Sequence, residues 1–116
     1  MNILFILNDP SYGTERSYNG FRHANVMAKT EGTEVRIFLM ADAVTCAKRG
    51  QKTPDGYYNL EKMIIVANRR GASIGACGTC SDARGLQTED LHDGVHRSSM
   101  EELAEWTVWA DKLIVY

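Results

Sequence analysis

The sequence predicts an α/β protein, a three-layer αβα sandwich around a mostly parallel central sheet. Three observations carry that prediction. The chain opens on an apolar run, Ile3 to Leu7, that is hydrophobic on both faces, as in a strand covered by helices on each side. A helical stretch and a second strand follow at matching lengths. Strand and helix patterns then alternate to the last residue. The 116 residues are enough for one domain, residues 1–116, and too few for two.

The elements follow in order. Residues 2–8 read as the first strand, and Asp9, Pro10 and Gly13 supply a turn. A helix is predicted from Thr14 to Lys29, with Thr14 as N-cap and Gly32 ending it. Tyr18, Phe21, Asn25 and Ala28 share one stripe, with Ala24 and Met27 beside it. Residues 34–40 form the second strand. Seven strand residues span roughly 23 Å and sixteen helical residues roughly 24 Å, the match a right-handed crossover needs.

Residues 42–49 read as a short helix capped by Asp42, and residues 50–58 as a loop with a Pro54-Asp55-Gly56 turn. The next helix runs from Asn59 to about Arg70, burying Leu60, Met63, Ile64 and Ala67, with Gly71 just past its end. A small-residue strand occupies 72–76. Thr79 is placed to cap a short helix beginning at Cys80 and ended by Gly85, and a polar loop runs on through His96. Ser98 or Ser99 caps the last helix with Glu101 or Glu102, its inward face being Met100, Leu103, Thr107 and Ala110 with Trp106 at the edge. Residues 111–116 form a final strand.

Composition narrows the function classes. Thirteen basic and fifteen acidic side chains give a formal net charge of -2, so nucleic-acid binding is not expected. No apolar run approaches the ~20 residues of a membrane helix, and the first strand lacks the basic lead-in and cleavage site of a signal peptide. Three cysteines, an odd number, argue against a secreted disulfide framework, and a reducing, cytoplasmic setting is expected.

In parallel α/β folds chemistry gathers where strands hand over to loops at their carboxyl ends. Residues 8–16, 40–46 and 77–85 meet that description. The strongest signal is Cys77-Gly78-Thr79-Cys80, directly after a strand. A helix N-terminus and the backbone N–H groups of Gly78 and Thr79 would favour a thiolate there, with Arg84 adding positive charge and Asp82 opposing it. Such a thiolate can attack sulfur or carry it as a persulfide. Asp9, Tyr12 and Asp42 would line the neighbouring loops as substrate-binding residues. Cys46, inside a predicted helix, reads as core packing.

Other readings fit less well. Cys77, Cys80, His92 and His96 make C-x₂-C-x₁₁-H-x₃-H, but the aromatic core residue of a zinc finger is absent and Gly94 sits between the histidines. No metal is expected. A thioredoxin-type dithiol would sit earlier in its fold, and neither Pro10 nor Pro54 lies downstream of the thiols. No phosphate-loop or dinucleotide glycine motif follows the first strand, so no cofactor is expected. A binding or assembly subunit that takes a small anion or nucleotide at the strand ends is the alternative to sulfur chemistry.

Three segments, ILFILNDPSYGTERSYNGFR, IFLMADAV and ACGTCSDARGL, together resemble the DsrE/DsrF-like family, whose members include sulfur-relay subunits of sulfur oxidisers and of tRNA thiolation. The resemblance spans nearly the whole chain. It implies a Rossmann-like topology and a persulfide carried on a cysteine several residues before an Arg-Gly pair. Counting back from Arg84-Gly85, Cys77 takes that position, and Cys80 is an addition that could resolve a persulfide and release sulfide. The resemblance also implies homo-trimers or hexamers, and protein partners that donate and accept sulfur. Sedimentation at micromolar concentration is expected to show an oligomer, and a monomer would contradict it.

Overall fold

A computed structural model describes residues 1–116. The order is β1 (Asn2–Leu7), α1 (Arg16–Met27), β2 (Glu34–Leu39), a 3₁₀ helix (Ala41–Ala47), α2 (Leu60–Arg69), β3 (Ser73–Cys77) and α3 (Gly78–Ala83). A 3₁₀ turn (Thr88–Asp90), β4 (Val95–Ser98), α4 (Met100–Trp109) and β5 (Lys112–Val115) complete the chain.

One five-stranded sheet has the order β4-β3-β2-β1-β5, and every pairing is parallel. The expected α/β sandwich is therefore the observed one. The first three crossovers step in one direction across the sheet, and the last returns past β1 to the opposite edge. Right-handed connections put α4 on the face opposite α1 and α2. Side chains divide accordingly. Phe5 meets His23 of α1 edge-on at 5.1 Å, whereas Phe38 meets Trp106 of α4 edge-on at 6.2 Å. Phe5, Phe21 and Phe38 are fully buried, each contributing about 1.5–3 kcal/mol of hydrophobic stabilisation.

Close approach explains Gly20. A Cβ there would lie 2.4 Å from Leu7 Cδ2 and 3.3 Å from the Tyr116 ring, so any larger residue would force the buried Leu7 side chain to move before α1 could settle onto β1.

Several local expectations are corrected. The first helix begins at Arg16, not Thr14, and Glu15 in the cap position makes no side-chain cap. The Thr14 hydroxyl donates instead to Asp9 Oδ2 at 3.0 Å. Residues 41–47 are 3₁₀, not α, and Asp42 lies in the first turn and does not cap it. Thr45 Oγ1 donates back to the Asp42 carbonyl at 2.7 Å, a bond that competes with regular helix. The helix after β3 begins at Gly78, and its cap is Cys77, not Thr79.

The polar loop expected through His96 contains β4, a fifth strand. Only Val95 and Ser98 of its four residues are buried, so it lacks the apolar content that marks a strand. Ser99 is the cap of α4, accepting from the Glu102 N–H at 3.2 Å, while the Ser98 hydroxyl donates to the Glu102 carboxylate. Trp106, not Met100 or Thr107, faces inward, because α4 reaches the sheet through Leu103 and Trp106.

Candidate functional site

The site is built where the carboxyl ends of β2 and β3 lie side by side. β3 ends on Cys77 and α3 starts at once, so its first residues stand over the sheet edge. Cys77 is buried, at 6% exposure, and its sulfur accepts the Cys80 N–H at 3.5 Å as the N-cap of α3. The Ser81 hydroxyl donates to the Cys77 carbonyl at 2.8 Å, fixing the first turn. Gly85, at φ 66°, ends α3 in the left-handed conformation.

Cys80 is half-buried and faces the segment after β2. The backbone N–H of Ala41 donates to its sulfur at 3.1 Å. Ala41 is the one non-glycine residue of the chain with positive φ, 51°. That conformation is strained for alanine, and it sits directly against a thiol.

Two ion pairs brace the turn from outside. Arg84 reaches Asp42 Oδ1 with Nε at 3.0 Å and Nη2 at 2.8 Å, and its Nη1 donates to the Cys80 carbonyl at 3.0 Å. This ties α3 to the segment that carries Ala41. Arg97, on β4, grips the Asp82 carboxylate with two bonds of 2.7 and 2.8 Å. It holds that carboxyl below the usual aspartate range. Its guanidinium lies over Gly78, where a Cβ would come within 2.8 Å of Cζ. Arg97 is a cation at the thiols that the sequence reading missed. Its one signal was indirect: an arginine close after a strand-forming valine.

The electrostatics depart from the expectation of an activated Cys77. Burial pushes the Cys77 thiol up and the neighbouring Cys80 side chain adds to the rise, while the Cys80 and Thr79 N–H groups pull it part of the way down. Arg84 is committed to Asp42, and Asp82 is matched by Arg97, so the two charges assigned to the thiols from sequence are both spent on other partners.

Cys77, Gly78, Thr79, Cys80, Arg84 and Asp42 come together in this way. Asp9 and Tyr12 do not bond to the CGTC turn. Asp9 organises its own loop, accepting from Thr14 and, through its carbonyl, from Ser17 at 2.6 Å. The Tyr12 hydroxyl donates to Gln51 Oε1 at 2.6 Å and accepts the Leu60 N–H at 3.1 Å, while its ring stacks on Tyr58. It fastens the first loop to α2.

The spacing that suggested zinc does not converge. His96 Nε2 bonds to Glu102, and His92 Nδ1 accepts the Gly94 N–H at 3.1 Å. No three His, Cys, Asp or Glu side chains are grouped to hold a metal. Cys46 is fully buried, and burial pushes its thiol up to about 12. All three cysteines are free. A surface depression lined by Asn19, Arg22, His23, Val26 and Tyr116 lies along α1 beside the chain end and holds none of the cysteines.

The model of the DsrE/DsrF-like family matches residues 1–116. The chain belongs to the DsrE/DsrF-like family. It is 38% identical over 115 residues to protein YchN of Escherichia coli strain K12, covering 98% of this chain and 97% of YchN. It is 39% identical over 114 residues to the uncharacterized protein MK0008 of Methanopyrus kandleri, covering 98% and 93%. The crystal structure of E. coli YchN superposes with a TM-score of 0.93 at 38% identity, covering 99% of this chain and 98% of that one. DsrE/DsrF-like proteins are generally related to sulfur relay. No helix of this member is long and apolar enough to cross a membrane.

Proposed function

We propose that this protein accepts sulfane sulfur as a cysteine persulfide on the CGTC turn and passes it to an acceptor thiol. The observation that carries the reading is the pairing of two free thiols, Cys77 and Cys80, at the end of β3, with the backbone N–H of Cys80 donating to the Cys77 sulfur and that of Ala41 to the Cys80 sulfur. N–H groups fixed in place stabilise a thiolate, and equally the terminal anion of a persulfide, without reorganising during reaction. Cys80 is partly open to solvent, so a donor can reach it. Transfer of the outer sulfur to the acceptor thiol returns the cysteine to its thiol form.

The alternative, a pocket for a small anion or nucleotide at the strand ends, draws less support. The cations beside the thiols, Arg84 and Arg97, already hold carboxylates, which leaves neither free to pair with an anion.

Peptide mapping tests the proposal. The protein is exposed briefly to a hydropersulfide, its thiols are blocked, and it is cut after Lys and Arg. Added sulfur is expected on the fragment of residues 71–84, which holds Cys77 and Cys80, and not on residues 37–48, which hold Cys46. Sulfur on the Cys46 fragment, or on neither, contradicts it.

A further inference from the structure

The two thiols of the turn are not equivalent. Cys80 is the more exposed, and its sulfur takes an N–H from outside its own helix, that of Ala41 at 3.1 Å. Asp42, next to Ala41, holds Arg84 at the C-terminal end of α3, and Arg84 also bonds the Cys80 carbonyl, so donor and sulfur are clamped together. Cys77 is nearly closed off, lies under the strand end, and uses its sulfur to cap α3.

We infer that Cys80 takes the sulfur first and that Cys77 follows as a resolving thiol, so that the pair reduces a hydropersulfide and releases sulfide. The inference rests on the sulfur-handling reading above and adds an order and a second product to it. In the first step the Cys80 thiolate attacks the outer sulfur of a donor R–S–SH. The donor S–S bond breaks, R–S⁻ leaves and takes a proton, and Cys80 carries S–SH. In the second step the Cys77 thiolate attacks the Cys80 sulfur. The bond to the outer sulfur breaks, HS⁻ leaves with the electron pair, and a Cys77–Cys80 disulfide forms. The outer sulfur is reduced by two electrons and the two cysteines are oxidised by two.

A dithiol reductant then restores both thiols by exchange and ends as its own disulfide. The sum is hydropersulfide plus dithiol giving thiol, hydrogen sulfide and disulfide. The C-x₂-C spacing on one turn of helix suits the closure. The buried position of Cys77, whose thiol is pushed up, makes the second step the slower one. In that interval an acceptor thiol can take the sulfur from Cys80 before it is lost as sulfide.

Time-resolved intact mass, with sulfide measured in parallel, tests the order on the full chain exposed to glutathione hydropersulfide. The parent is expected to gain one sulfur atom, then to lose it and two hydrogens as sulfide appears. Cys77→Ser, and Cys77→Ala as a second variant, are expected to gain the sulfur and keep it, releasing little sulfide. Cys80→Ser is expected to gain sulfur about ten-fold or more slowly, since only the buried thiol, which a donor reaches less readily, remains at the turn. Cys80→Ser loading as fast as the parent, or both Cys77 variants failing to load, overturns the order. A parent that keeps its persulfide as long as Cys77→Ser overturns the resolving step. Absence of loading in the parent contradicts the sulfur-handling reading itself, a result separate from either.

Discussion

Between about pH 9 and pH 12 the native protein is expected to lose stability that a Cys46→Ala variant keeps. Cys46 has no exposed surface, and burial raises its thiol from an ordinary 9.0 to about 12. The neighbouring Ser17 side chain offsets part of that rise. The unfolded chain ionises this thiol near pH 9, while the folded chain holds the proton until about pH 12. In that window the native state binds more protons than the unfolded state, so unfolding free energy falls as pH rises. The contribution is complete below pH 9 and lost as pH rises through 12. Each pH increment of one across the window removes roughly 1.4 kcal/mol, about 4 kcal/mol from end to end.

Alanine has no proton to lose. It leaves a small cavity, so Cys46→Ala starts about 1–2 kcal/mol lower at neutral pH. Urea midpoints measured against pH should therefore converge for the two proteins and then cross, with the parent ending below the variant in strongly alkaline solution. Curves that stay parallel to pH 12 would show that Cys46 is not held protonated by burial. The same burial keeps Cys46 out of sulfur chemistry near neutral pH, where almost none of it is thiolate.

Much of the architecture was legible because the strong signals were local and apolar. NILFIL and EVRIFL cannot be solvated, their lengths fit the helix between them, and the parallel sheet follows. Gly71 and Gly85 marked the ends of α2 and α3, and both take positive φ, 87° and 66°. β4 was not legible, because an edge strand exposes His96 and Arg97 and reads as loop. The caps were misread for separate reasons. Thr14, Asp42 and Thr79 are all good capping residues, but Thr14 is held by Asp9 in its own loop, Asp42 by a side chain brought from another element, and Thr79 lies inside a helix that Cys77 already caps. Asp42 is taken by Arg84, forty-two residues away.

At the site, the CGTC turn and its place after a strand were readable from spacing. What was not readable is what comes from other elements. Neither the left-handed Ala41 with its N–H on Cys80 nor Arg97 over Gly78 has a signal in the turn itself. The assignment of Cys77 as the activated thiol followed from its place in the sequence. The fold instead buries that sulfur and leaves Cys80 the more accessible.

Serine at both positions 77 and 80 is expected to remove sulfur uptake entirely and leave the fold in place. Serine is a preferred N-cap, so Ser at position 77 can accept the N–H that the Cys77 sulfur now accepts. At position 80 a hydroxyl can likewise accept the Ala41 N–H. The ion pairs of Arg84 with Asp42 and of Arg97 with Asp82 do not involve either sulfur. The melting transition of the double variant should therefore stay close to that of the parent, and only the sulfur chemistry should go. Intact mass of parent and double variant, taken seconds after mixing with a hydropersulfide, tests the central claim most directly. The account predicts one added sulfur atom in the parent and none in the folded double variant, and equal uptake by the two, with only Cys46 left to explain it, would contradict it.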